Sequence, residues 1–476
     1  MKKSGAPITA QFRKHSVSDD TLELELSEGQ AAVAALPMGS VALAVGWPGS
    51  GKTTALKALF LRLAKQHKPE QILVIAANRF AANKLRDELA LSYQGATLGP
   101  LARSLSSIAF AIIRHHAIET GSKLPELVTG AEQDAILESI LHRVVAGELQ
   151  VSALPKQLSR NSLGLNGFRA ELRDLLAVAI EYSLSPERLR ALAGEKKKPD
   201  WNVAADLYQH YLAELAITPH RYDPSALLVE AARLLNEFEW PAQLAAVKQI
   251  LLDDAQELTP AAATLIRTLC SRGAGLAMFG DPDVTTLGFR AADPEMMHEL
   301  GLSIAGERKL EQIYIYPSHA THPAGIAEAI SRITPRIPVA KAGPQRKGIT
   351  PPAGIADEGT VVAKVFHLQQ EESAWLANQL RFAHLEESVP WQDMAVVARS
   401  VDELEELENA LAAESVPVRI IGARTALRDE FGSASYLKLL KQVLNESSIT
   451  YETAIDLFTS PISGFDAVTL RRLRRS

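Results

Sequence analysis

A lysine and a threonine stand side by side at the end of a glycine-rich run, Gly46 to Thr53, reading GWPGSGKT. The spacing G-x-x-x-x-G-K-[ST] lets backbone N–H groups turn inward around an anion, because glycine accepts conformations that side chains resist. Lys52 supplies a point charge for outer phosphates and Thr53 a hydroxyl for a divalent cation. Gly46, Gly49, Ser50, Gly51, Lys52, Thr53 and Thr54 are therefore candidate ligands of ATP, with Mg²⁺ as the companion ion. Holding a triphosphate does not cleave it; cleavage needs a carboxylate on the metal and another facing water. The stretch QILLDDAQELTP offers both. Asp253 would share the metal with Thr53, and Asp254 would face the attacking water.

These groups need a scaffold that brings strand ends together. SVALAVG at 40–46 and QILVIAA at 71–77 are short, apolar and β-branched, with a helical pattern between them. That is a β–α–β unit and predicts a parallel sheet covered on both faces. From about 120 to 235 the periodicity is almost wholly helical, and strand patterns return at AAVKQILLDDAQ and AGLAMFGDPD. The helical block reads as an insertion within one α/β domain. Ligands of such sheets sit at the carboxyl ends of the strands, where Asp253 and Asp254 fall. A second α/β pattern follows, with apolar runs at TVVAKVFHL, DMAVVARS and VPVRIIG after a Pro/Gly-rich stretch at 333–359.

Composition bounds the setting. The chain has 476 residues, a formal net charge of -6, 47% hydrophobic and 22% charged residues, which suits several globular domains rather than a basic coat protein. A local basic groove for nucleic acid stays compatible with that charge. Cys270 is the only cysteine, which excludes an intramolecular disulfide and fits a reducing cytoplasm. No apolar leader or membrane-length run is present, so a cytoplasmic location is expected.

The ordered motifs resemble superfamily 1 DNA helicases of the UvrD/RecB type. DDAQELTP and GDPDVTTLGFRAADPE are similar to their motifs II and III, LSEGQAAVAAL to the Q-motif, ILVIAANRFAANKLRDEL to motif Ia, and TLGPLARSLSSIAFAIIR to the DNA-contact motif that follows. FAHLEESVPWQDMAVVARS and SPISGFDAVTLRRLRRS are similar to segments of the AdnAB-type helicase-nucleases of actinobacteria. The resemblance implies two RecA-like P-loop NTPase lobes with parallel sheets, the first carrying a helical insertion and the second incomplete. The implied boundaries are 1–118 and 233–305 for the first lobe, 119–232 for the insertion, 306–445 for the partial second lobe and 446–476 for the start of another insertion. It implies that Gln30 reads the adenine edge, that Arg290 reaches the γ-phosphate, and that Arg79, Arg103 and Ser107 meet single-stranded DNA. It further implies 3′-to-5′ movement, action on DNA ends and a second helicase-nuclease subunit as partner.

Several positions depart from the family pattern. Motif II carries Asp254 where a glutamate is usual, which places the carboxylate about one methylene short. Val284 replaces a glutamine that couples nucleotide to DNA, and Ile315 stands where a phosphate-sensing arginine is expected. The sequence stops ahead of motifs V and VI and of a nuclease domain, which reads as a fragment or a split gene. Two readings stay open: an ATP-dependent helicase or translocase subunit, and a hydrolysis-poor architectural subunit that binds nucleotide and DNA or a non-functional fragment of such a helicase.

Overall fold

The computed structural model describes residues 26–155, 158–307, 309–316, 323–338, 343–349, 359–421, 431–445, 451–458, 460 and 462–463. They fall into two units, divided between Val361 and Val362.

The first unit opens with α1 (Glu28–Ala34), started by a capping box in which Ser27 and Gln30 satisfy each other's backbone N–H. β1 (Val41–Val45) follows and is buried throughout. Its alternation divides the core: Val41, Leu43 and Val45 join one hydrophobic cluster, while the small Ala42 and Ala44 join the other. Those alanines face the cluster that also holds α2 (Lys52–Gln66), whose Ala55, Leu56, Leu59, Phe60 and Leu63 form a single buried stripe. β2 (Ile72–Ala76), α3 (Arg79–Ser92), β3 (Ala102–Ser104) and α4 (Leu105–Glu119) complete the first pass.

The chain then leaves the sheet through β4 (Glu126–Leu127). It forms α5 (Gly130–Val145), α6 (Asn166–Glu181), α7 (Pro186–Glu195) and α8 (Trp201–Ala216), and returns through β5 (Arg221–Tyr222). The helices share a core around Leu137, Leu176, Leu207 and Tyr211. β4 and β5 pair with each other and close the neck of this insertion. Beside the neck, Asp223, 2% exposed, accepts from Gln133, Tyr211 and the Ser225 N–H, a satisfied buried acid.

α9 (Leu227–Glu237) packs on α4 and belongs to the core of the sheet domain. α10 (Ala242–Ala245), β6 (Gln249–Leu252), α11 (Pro260–Cys270), β7 (Gly275–Gly280), α12 (Met296–Ala305), β8 (Glu311–Tyr314) and α13 (Ala324–Ile333) finish the unit. The six strands run parallel in the order β3-β2-β6-β7-β1-β8. Every strand therefore ends on one edge, and the loops that carry the motifs gather there.

Two expectations need correction. β8 pairs with β1 in register Val45↔Tyr314, so this strand belongs to the sheet of the first unit and not to a second lobe beginning at 306. β8 adds to the free side of β1, where Ile313 and the following Ile315 are buried while Glu311 and Gln312 stay exposed. In the second unit, α14 (Gln369–Leu385) and α15 (Val401–Ala413) pack around Ala377, Leu411 and Val416, and α16 (Phe431–Asn445) and α17 (Tyr451–Phe458) follow. The expected strands at TVVAKVFHL, DMAVVARS and VPVRIIG form no ladder among the described residues, and Val365 and Val397 are 95% and 91% exposed. No helix among the described residues is long and apolar enough to cross a membrane.

Candidate functional site

The loop between β1 and α2 is shaped by three glycines. Gly49 and Gly51 hold φ of +80° and +85°, in the left-handed region. A Cβ on Gly51 would lie 2.1 Å from Gln30 Nε2, and one on Gly46 would lie 2.3 Å from Ser50 Oγ. Gln30 braces this loop: its Nε2 donates to the Ser50 and Gly51 carbonyls at 3.2 and 3.3 Å, and its Oε1 accepts from the Ser27 N–H. The amide expected to read an adenine edge thus spends its donors on the loop itself. Lys52 Nζ donates to the carbonyls of Gly46 and Trp47 at 2.7 and 3.1 Å. Thr53 and Thr54 follow in the first turn of α2, half-buried.

The acids meet this loop from β6. Thr53 Oγ1 donates to Asp253 Oδ2 at 2.9 Å. The other oxygen, Asp253 Oδ1, is buried and has no hydrogen-bond partner among the described residues. A buried, orphaned carboxylate oxygen beside a threonine hydroxyl suits a hard cation such as Mg²⁺, which takes oxygen ligands and completes its shell with phosphate and water. Burial, with Asp254 adding repulsion, pushes the Asp253 carboxyl up to about 6, against the pull of the Thr53 hydroxyl and Lys52. Burial conversely lowers Lys52, while Asp281, Asp253 and Asp254 oppose that shift. An anion with its metal would relieve both strains.

Asp254 sits in the left-handed region at φ +50°, an uncommon conformation for a residue with a side chain. Gln256, 4% exposed, steadies it: its Nε2 donates to Asp254 Oδ1 at 3.2 Å while its Oε1 accepts from the Asp281 N–H at 3.2 Å. One side chain thereby ties the end of β6 to the end of β7. Glu257 adds a second tie by accepting from the N–H groups of Thr286 and Leu287. Asp281 is 1% exposed, and burial pushes it up to about 6 with Lys52 and Arg346 opposing. Gln256, Glu257 and Asp281 escaped the sequence reading. The strand-end rule that selected Asp253 also selects Asp281, the first residue after the buried run GLAMFG.

The remaining candidates lie on the same edge but are more open. Arg290 is exposed on the turn Gly288–Arg290, its guanidinium 5.4 Å from the Phe289 ring centroid. No described bond joins it to Lys52 or Asp253. Arg79 is exposed at the start of α3, after the Asn78 cap. Arg103, at the end of β3, and Ser107, in the first turn of α4, are brought together: Arg103 Nη2 donates to the Ser107 carbonyl at 2.8 Å. Val284 is half-buried in the turn Pro282–Val284. Ile315 is fully buried and its N–H donates to the Val45 carbonyl, so its side chain fills the core beneath the cradle and has no polar reach.

Residues 26–303 match the UvrD/REP helicase N-terminal domain. The chain is 24% identical over 415 residues to "ATP-dependent DNA helicase srs2" of Schizosaccharomyces pombe, covering 83% of this chain and 44% of that protein. It is 24% identical over 430 residues to "ATP-dependent DNA helicase UvrD1" of Mycobacterium tuberculosis, covering 84% of this chain and 51% of that protein. A "Probable DNA helicase" of Mycoplasma pneumoniae is 25% identical over 365 residues, 74% of this chain and 63% of that one. The chain thus spans about half the length of these relatives. With more than half of its own length inside the matched domain, it belongs to the UvrD/REP helicase family.

Proposed function

We propose that this chain is a DNA helicase or translocase subunit that binds ATP with Mg²⁺ and couples its hydrolysis to movement on single-stranded DNA. The observation that carries the reading is the pairing of Thr53 with Asp253 beside Lys52, with one buried Asp253 oxygen left for a metal. In this reading Thr53 and Asp253 would hold the ion, and when bound it would supply positive charge against the phosphates. Lys52 turns from the Gly46 and Trp47 carbonyls to the outer phosphates. Asp254, steadied by Gln256, orients water, and Arg290 supplies a planar cation to the γ-phosphate. Gln30 keeps the loop in shape from behind. Arg79, Arg103 and Ser107 face the DNA backbone at the ends of β2 and β3.

The finer reading places movement in the 3′-to-5′ direction, within a complex that processes DNA ends alongside a second helicase-nuclease subunit of the AdnAB type. The similarity of FAHLEESVPWQDMAVVARS and SPISGFDAVTLRRLRRS to that group supports it. A strand-displacement assay with the partner present tests the polarity: duplexes with a 3′ single-stranded tail should be opened in the presence of ATP and those with a 5′ tail left intact. Equal opening of both would remove the direction from the account.

The position of Asp254 favours a second reading, a subunit that binds nucleotide without turning it over. Its side chain is one methylene shorter than the usual glutamate, and misplacement by about 1 Å can cost on the order of 100-fold in rate. Tight ATP binding with no turnover, even with partner and single-stranded DNA, would select this reading.

A further inference from the structure

The chain that follows β8 returns to the cradle at two points. Ala327 and Ile330 of α13 pack against Trp47 within the glycine loop. Farther on, the turn Pro344–Ile349 sets Arg346 on Asp283: Nε donates to Oδ2 at 2.8 Å and Nη2 to Oδ1. Gln345 Nε2 adds a bond to the same carboxylate at 3.2 Å, and Arg346 Nη2 also donates to the Ile337 carbonyl at 3.1 Å. The Asp283 side chain is 2% exposed and that of Arg346 18%. Asp283 in turn donates its N–H to Asp281 Oδ1 at 3.0 Å.

Lys52, Asp281, Asp283 and Arg346 are therefore neighbouring charges, and Asp253 and Asp254 also act on Lys52. Among the described residues, the cations acting on Asp281 are Lys52 and Arg346. A polyphosphate in the cradle brings several negative charges and engages Lys52. Two buried aspartates would then face an anion with one cation left between them, in surroundings where unscreened charge is costly. We propose that Arg346 is a positioning residue for nucleotide binding, the fixed counter-charge that holds Asp283, and through it Asp281, in place beside a triphosphate. Its bidentate grip on Asp283 holds the start of the turn that leads to Arg290, and the contact of α13 with Trp47 fastens the same segment to the glycine loop. The inference rests on the nucleotide reading above, and nothing in the motif pattern points to Arg346.

Equilibrium titration of the full chain with ATP and ADP, each with Mg²⁺, tests it on four variants. Arg346→Ala should weaken ATP binding at least tenfold and ADP binding less, because the third phosphate adds the most charge. Arg346→Lys should recover part of the loss. Asp283→Asn alone should bind ATP as well as the parent does or better, and the double variant Arg346→Ala/Asp283→Asn should return to within about threefold of the parent, since one charge of each sign is then removed. Should Arg346→Ala bind ATP normally, or should the double variant stay as weak as the single one, the counter-charge role is wrong. Lys52→Ala serves as the reference: if it too binds ATP normally, the nucleotide reading itself falls, whereas a loss confined to Lys52→Ala removes only the role given to Arg346.

Discussion

The cradle and the positions proposed to face DNA share one edge of one sheet, yet they are held in different ways. Around the phosphate loop the groups are enclosed: Ser50 is 1% exposed, Asp281 1% and Asp253 7%. Gln30, Thr53 and Gln256 fix them through side-chain hydrogen bonds that cross from one element to another. Arg79 and Ser107 are exposed and Arg103 is half-buried. A phosphate site works by fixed charges in dry surroundings, where electrostatic interactions are strongest. A surface that grips a polymer and lets it go needs contacts that water can replace. The contrast separates residues whose loss should cripple the site from those whose loss should only loosen it.

The largest expected effect comes from Asp253. Replacing Asp253 with asparagine should weaken magnesium-dependent ATP binding on the order of 100-fold, through loss of an anionic metal ligand. The same change should stabilise the metal-free protein. The Asp253 carboxyl titrates near 6 when folded and near its ordinary 3.8 when unfolded. Its contribution to stability is therefore full below about pH 4 and lost as pH rises through 6. Metal-free parent and variant should differ by on the order of 2 kcal/mol at pH 7.5, and the gap should close toward pH 4.5. Denaturant unfolding at the two pH values would show a constant gap if the acid were not strained. The smallest effect belongs to Arg103→Ala, which should lower affinity for single-stranded DNA roughly fivefold and reduce the salt dependence by about one ion. ATP binding without DNA should not change. A loss of ATP binding in that variant would erase the distinction between the two sets of residues.

What could be read in advance follows the same division. Gly46 to Thr53 declare themselves because the chemistry is local: one turn, one helix start and one strand hold it. Asp253 is legible because a buried strand ends on it. Gln256 and Arg346 act across the fold, on residues 25 and 63 positions away, and no spacing reveals such pairs. β8 is a four-residue edge strand whose partner, β1, lies far earlier in the chain, so its apolar run gave no hint of which sheet it joins. The runs in the second unit have strand-like composition but form no ladder among the described residues. A β pattern records fitness for a sheet and does not name the neighbour that completes it.

The central claim is that Lys52, Thr53 and Asp253 form an ATP site whose turnover answers to DNA. The most direct measurement is ATP hydrolysis by the chain, alone and with the proposed partner subunit, with and without single-stranded DNA, in the parent and in Lys52→Ala. The account predicts stimulation by DNA in the parent and loss of the stimulated rate by at least about 100-fold in the variant. Stimulated hydrolysis that survives Lys52→Ala would contradict it and would place the motor in another chain.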